Sequence, residues 1–152
     1  MSGNRAARFK AAIRGNVMTK LEGGCQCGAV RYEITEDLMG VGVCHCRACQ
    51  YASGGGPNYV ALAPKSGFRI TKGEPKRFVR AGGSGADVAR VFCAECGTPL
   101  WSEAALPFLP VKAGSLDDNS TLEPAVHLWT SAAPPWHPID PARPAFPENP
   151  PR

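Results

Sequence analysis

A mainly β fold with little helix is predicted by three observations. Short stretches alternate apolar and polar residues with the period of a half-buried strand. Glycine and proline, 17 and 15 of the 152 residues, punctuate nearly every gap between those stretches, as turn residues do. No stretch sustains the apolar period of a long amphipathic helix. With 43% hydrophobic residues, a chain of this length supports one domain with a core and is short for two.

The elements follow in order. Residues 1–17 carry Arg5, Arg8, Lys10 and Arg14, with no acid before Glu22. They are expected to form a flexible N-terminal extension. The organised pattern starts after Met18, so a single domain is expected over 18–140. Residues 29–34 alternate as a half-buried strand, and 58–62, 68–70, 77–79, 88–92 and 126–129 read the same way. Arg47 to Ala52 tolerates a brief helical turn. Gly82-Gly83-Ser84-Gly85 reads as a hairpin loop. Neither it nor Gly54-Gly55-Gly56 continues into the Gly-Lys-Ser/Thr of a phosphate loop. The glycines after Gln50 would let a ligand's backbone come close. Eight prolines between Pro134 and Pro151 exclude regular helix and central strand. An extended surface strap, pinned by Trp136, Ile139 and Phe146, is expected, with 141–152 as a proline-rich tail. Trp101 and Trp129 read as core residues first.

The formal charge of +4 counts every thiol as neutral. Were all seven cysteines thiolates on two divalent ions, the balance would fall by three, to about +1. The basicity is then compensation for metal sites, and without a basic stripe interleaved with aromatics no nucleic-acid partner is expected. No apolar run reaches the roughly 18–20 residues of a membrane span, and no apolar segment of a secretory signal opens the chain. A reducing cytoplasm is expected, where clustered cysteines bind metal rather than pair as disulfides.

The cysteines fall into three tight groups: Cys25-Gln-Cys27, Cys44-His-Cys46-Arg-Ala-Cys49 and Cys93-Ala-Glu-Cys96. A turn can aim two such neighbours at one zinc ion about 2.3 Å away. Gly28 and Gly97 sit where these knuckles need a positive φ. Two pairs close a tetrahedral site, which assigns Cys25, Cys27, Cys93 and Cys96 to a structural zinc. Cys44, Cys46 and Cys49 then hold a second zinc with its fourth position open to water or substrate. One flanking pair with two members of the trio would satisfy the same valence. An iron–sulfur cluster fits the spacings poorly. His45 lies inside the trio but points away from its neighbours' direction in an extended segment. His127 and His137 read as separate structural histidines.

Leu21 to Glu33 (LEGGCQCGAVRYE), Cys44 to Cys49 (CHCRAC) and Phe92 to Leu100 (FCAECGTPL) together resemble the glutathione-dependent formaldehyde-activating enzyme family. The resemblance implies a β-tent fold, small antiparallel sheets joined by a zinc knuckle. It implies a structural zinc at the two flanking pairs and a catalytic zinc at the trio. It also implies a carbon–sulfur lyase that condenses formaldehyde with a small-molecule thiol, glutathione, to S-hydroxymethylglutathione. Many relatives carry a basic residue after the third cysteine of the trio, where this chain has Gln50. The alternative is a zinc-stabilised binding module, without catalysis, for a small molecule or a protein.

Overall fold

A computed structural model describes residues 20–151; the expected N-terminal extension lies outside them. The described residues form two sheets. The smaller joins β1 (Leu21–Gly24), β2 (Arg31–Ile34) and β5 (Phe68–Lys72) in the order β1-β2-β5. The larger contains β3 (Gly40–Cys44), β4 (Asn58–Pro64), β6 (Lys76–Ala81), β7 (Asp87–Phe92), β8 (Pro99–Glu103), β9 (Phe108–Lys112) and β10 (Val126–Leu128). Its order is β10-β3-β4-β9-β8-β7-β6. Among the described residues one α-helix, α1 (Arg47–Ser53), follows β3. The fold is mainly β, as expected, with one departure from antiparallel pairing among the named strands. β10 lies parallel to β3, because the chain crosses over through residues 113–125 before it returns to the edge.

The core fills the space between the sheets. Tyr32 and Ile34 from the small sheet meet Val41, Ala61, Val91, Trp101 and Val111 from the large one. Period-two alternation places these large-sheet residues on one face. Trp101, 1% exposed, packs edge-on to Phe68 at 4.7 Å and to Tyr32 at 5.7 Å between ring centroids. Tyr32 donates its hydroxyl to Ser115 Oγ at 2.7 Å, since that oxygen already donates to the Lys112 carbonyl at 2.8 Å. Gly23 is required beside this ring: a Cβ there would lie 2.4 Å from the Tyr32 oxygen.

The sheets are also tied at their turns. Cys25 and Cys27 lie in the β1–β2 turn of the small sheet, and Cys93 and Cys96 in the β7–β8 turn of the large one. At the other end, the strap after β10 returns to the sheet edge. His127 N–H donates to Pro144 O and Phe146 N–H to His127 O, both at 2.9 Å. Phe146 is half-buried and holds the strap as expected, but the other two pins differ. Trp136 is 67% exposed and Ile139 39%, while His137 is the strap's buried side chain. A polar ring with partners waiting inside outcompetes an indole that has no cavity to fill.

Candidate metal centres

The β1–β2 and β7–β8 turns are built alike. Gly28 N–H donates to Cys25 O at 3.1 Å and Gly97 N–H to Cys93 O at 2.9 Å. Both glycines have positive φ, 79° and 77°, which a side chain would resist. Each turn also offers an amide to sulfur: Val30 N–H to Cys25 Sγ at 3.2 Å, and Glu95 N–H to Cys93 Sγ at 3.4 Å. The four sulfurs all lie within 4.8 Å of one another. Cys25 and Cys27 are 3.6 Å apart, and Cys27 and Cys93 3.8 Å. A zinc–sulfur tetrahedron with bonds of about 2.3 Å has edges of about 3.8 Å, so the donor set fits a closed zinc site. A disulfide needs about 2.05 Å. The Thr98 hydroxyl draws the Cys96 thiol down to about 6. Cys27, though the Ala29 amide draws it down, is pushed up to about 12 beside Cys25 and Cys96.

Cys44, Cys46 and Cys49 form a second cluster, also within 4.8 Å. Three different backbone devices converge them. Cys44 ends β3, Cys46 caps α1 by accepting the Cys49 N–H at 3.3 Å, and Cys49 sits in the helix's first turn. Cys49 is buried, whereas Cys44 and Cys46 are part-exposed. Asn58, opposite Cys44 on β4, donates its amide toward Cys49 Sγ at 3.5 Å. Hydrogen bonds from Cys44 first, then Cys46, hold the Cys49 thiol far below its ordinary range, and Cys44 is pushed far above it. Three sulfurs fit a zinc ion that keeps one vertex for a guest.

The sequence-predicted ligands come together in the expected two groups. Gln50 is 5% exposed and committed elsewhere: its amide donates to His45 O at 2.9 Å and Ala132 O at 3.2 Å, and its oxygen accepts from Arg47 at 2.7 Å. The Gly55 carbonyl takes a hydrogen bond from His137 at 2.8 Å. A cleft of about 380 Å³ lined by Gln26, Arg31, Thr98 and Asp117 lies at the four-cysteine end, away from the trio.

Sequence reasoning missed the histidines as a unit. All three of the chain converge. His45 Nε2 lies 2.9 Å from His127 Nδ1, and His45 Nδ1 lies 2.9 Å from His137 Nδ1. The ends of this chain fix every tautomer. Asp140 N–H donates to His127 Nε2 at 3.1 Å, so His127 carries its proton on Nδ1 and donates to His45. His45 then donates from Nδ1 to His137, which donates from Nε2 to Gly55 O. Burial, then the neighbouring rings, pulls the His45 pKa down to about 4, which keeps the ring neutral. The device clamps His45, between Cys44 and Cys46, to the strap. No local spacing announces it, because the rings come from the loop between β3 and α1, from β10 and from the strap.

Fold and sulfur geometry define a class: a small, mainly β protein with two separate thiol clusters, one closed and one open, each able to hold a metal ion. The model of the glutathione-dependent formaldehyde-activating enzyme family matches residues 20–132, and the chain belongs to that family. A Halomonas elongata protein named "Putative glutathione-dependent formaldehyde-activating enzyme" is 28% identical over 131 residues, 79% of this chain and 81% of that one. A crystal structure of a Rhodobacter sphaeroides protein superposes with a TM-score of 0.50 at 24% identity, covering 63% of this chain and 87% of that one; this likeness speaks to the fold alone.

Proposed function

We propose that the protein is a zinc-dependent carbon–sulfur lyase that interconverts glutathione plus formaldehyde with S-hydroxymethylglutathione. Cys25, Cys27, Cys93 and Cys96 hold a structural zinc in this reading, and Cys44, Cys46 and Cys49 a catalytic one. The asymmetry between the clusters is the observation that supports it. Four sulfurs close on one another at the sheet junction, whereas three part-exposed or buried sulfurs leave a vertex free. Zinc, when bound, supplies Lewis acidity and favours the thiolate form of a thiol.

The chemistry is simple to balance. The glutathione sulfur attacks the formaldehyde carbon, the carbonyl pair moves to oxygen, and the thiol proton ends on that oxygen. The chain's own residues prepare the place. Asn58 orients Cys49 inward, and the histidine chain fixes the segment that carries Cys44 and Cys46. Gln50 brings no charge and is spent on holding that same segment. Among the described residues no helix is long and apolar enough to cross a membrane, and thiol chemistry of this kind suits a reducing cytoplasm.

Metal analysis and exchange NMR test the reading. About two zinc ions per chain are expected, with faster exchange between free formaldehyde and its glutathione adduct. Cys46→Ser should remove the acceleration and leave the fold intact, while Cys96→Ser should lose cooperative unfolding. Acceleration that survives Cys46→Ser would show that the trio is not catalytic.

A further inference from the structure

Lys112 is 92% buried by its 8% exposure, and its Nζ is the one buried side-chain nitrogen or oxygen without a hydrogen-bond partner among the described residues. An ammonium in that state is costly unless something pairs with it. The sheet register shows where it faces. Gly42, Val60 and Lys112 lie side by side across β3, β4 and β9, and Cys44 and Asn58 form the next rung but one along β3 and β4. Residues two apart share a face, so Lys112 rises from the face that carries Cys44 and Asn58. This is the face turned away from the Trp101 core, since Val111 and Ala61 point the other way. Arg90, on β7 of the same sheet, donates to Ser102 at 3.5 Å and adds positive charge nearby.

The trio needs such a cation. Three thiolates on a divalent ion leave a net charge of −1, and no sulfur there can donate a hydrogen bond to a ligand's oxygen. In the lyase reading, on which this inference rests, that oxygen becomes negative as the sulfur–carbon bond forms. It would be repelled by the thiolates unless a donor of opposite charge met it. Burial pulls the Lys112 ammonium below the usual lysine range; the charge of Cys49 pulls it back up, Arg90 opposes that, and Cys44 and Cys46 add to Cys49. The charges that pull it up are those of the open cluster's sulfurs, Cys49 first.

We propose that Lys112 is the oxyanion-binding residue of the open cysteine site, donating a hydrogen bond to the negative oxygen of a one-carbon ligand seated there. Formate is the smallest stable oxyanion of that class. The test titrates carbon-13 formate against full-length, zinc-loaded protein and follows its line broadening, in wild type, Lys112→Met and Lys112→Arg. Losing one charge-assisted hydrogen bond should weaken formate about 10- to 100-fold in Lys112→Met, with Lys112→Arg closer to wild type. Equal formate binding by wild type and Lys112→Met, with only zinc affinity changed, would make Lys112 a counter-charge to the thiolates and overturn the proposal. If Lys112→Met does not fold, the lysine side-chain resonances of wild type decide: formate should move the Lys112 signal, and a signal that stays put overturns the proposal. Adduct exchange in the same samples separates the two readings. Inactive wild type whose formate binding needs Lys112 loses the lyase reading and keeps the anion site; active wild type indifferent to Lys112 in both assays loses only the anion site.

Discussion

Replacing His45 by phenylalanine keeps the ring's volume and removes both of its hydrogen bonds. His45 is fully buried, 0% exposed, so water cannot stand in for the missing nitrogens. The two bonds, each 2.9 Å long, contribute about 1 kcal/mol apiece in net terms. The larger loss lies in what is stranded. His127 cannot turn its donor elsewhere, because Asp140 N–H needs the bare Nε2, so its Nδ1–H is left buried and unpaired. A stranded donor costs about 1–3 kcal/mol. Together the substitution should cost about 3–5 kcal/mol. Urea unfolding of zinc-loaded wild type and His45→Phe measures this, with the denaturant slope unchanged. The same variant should release its second zinc to a chelator sooner than its first, since His45 stands between Cys44 and Cys46. A cost below about 0.5 kcal/mol, with zinc release unaltered, would refute the clamp.

Two further outcomes follow from the packing. Lys20 first, then Arg69, holds the Glu33 carboxyl below its ordinary 4.5, with both cations 2.6 Å from its oxygens. A lowered folded-state pKa gives stability that is full above the ordinary value and lost as pH falls through the lowered one. The stability advantage of wild type over Glu33→Gln should therefore be flat down to about pH 5 and shrink below it; in urea titrations across that range, an advantage that grows with acid would contradict the ion pairs. Trp101→Ala should cost about 3–5 kcal/mol, since the indole bridges both sheets at 1% exposure. A loss under about 1 kcal/mol would mean that the two sheets do not share this core.

What the sequence discloses depends on how local the signal is. The strands with clean alternation were legible: Asn58–Pro64, Lys76–Ala81 and Asp87–Phe92 contain expected segments, and Arg31–Ile34 lies within the expected 29–34. β3 was not, because Gly40-Val-Gly-Val-Cys offers two glycines where a strand usually shows side chains. β9 was hidden by Pro110, which argues against a central strand. The sheet tolerates it because the β8–β9 ladder is short, with Trp101 opposite Val111 as its registered pair. Both cysteine groups were legible because each knuckle is a turn of a few residues. The histidine chain and Lys112 were not, since each acquires meaning only from partners 80 or more residues away or across the sheet.

The two clusters are assembled at different levels of structure, and that difference bears on what each can do. The four-sulfur site draws on turns separated by 66 residues between Cys27 and Cys93, so it forms only when the two sheets have met, and metal bound there stabilises the fold it requires. The trio sits within six consecutive residues, Cys44 to Cys49, joined by a strand end and a helix cap. A site that local does not need the tertiary fold to bring its ligands near, and an ion there contributes little to holding the sheets together. Its precision has to come from elsewhere. Gln50 bonds the His45 carbonyl, the histidine chain bonds the His45 ring, and Asn58 reaches Cys49 from β4. The segment is thus held from three sides by groups that are not ligands. An open site gains reactivity by leaving a vertex free, and a supporting shell is what keeps its remaining sulfurs from closing over that vertex.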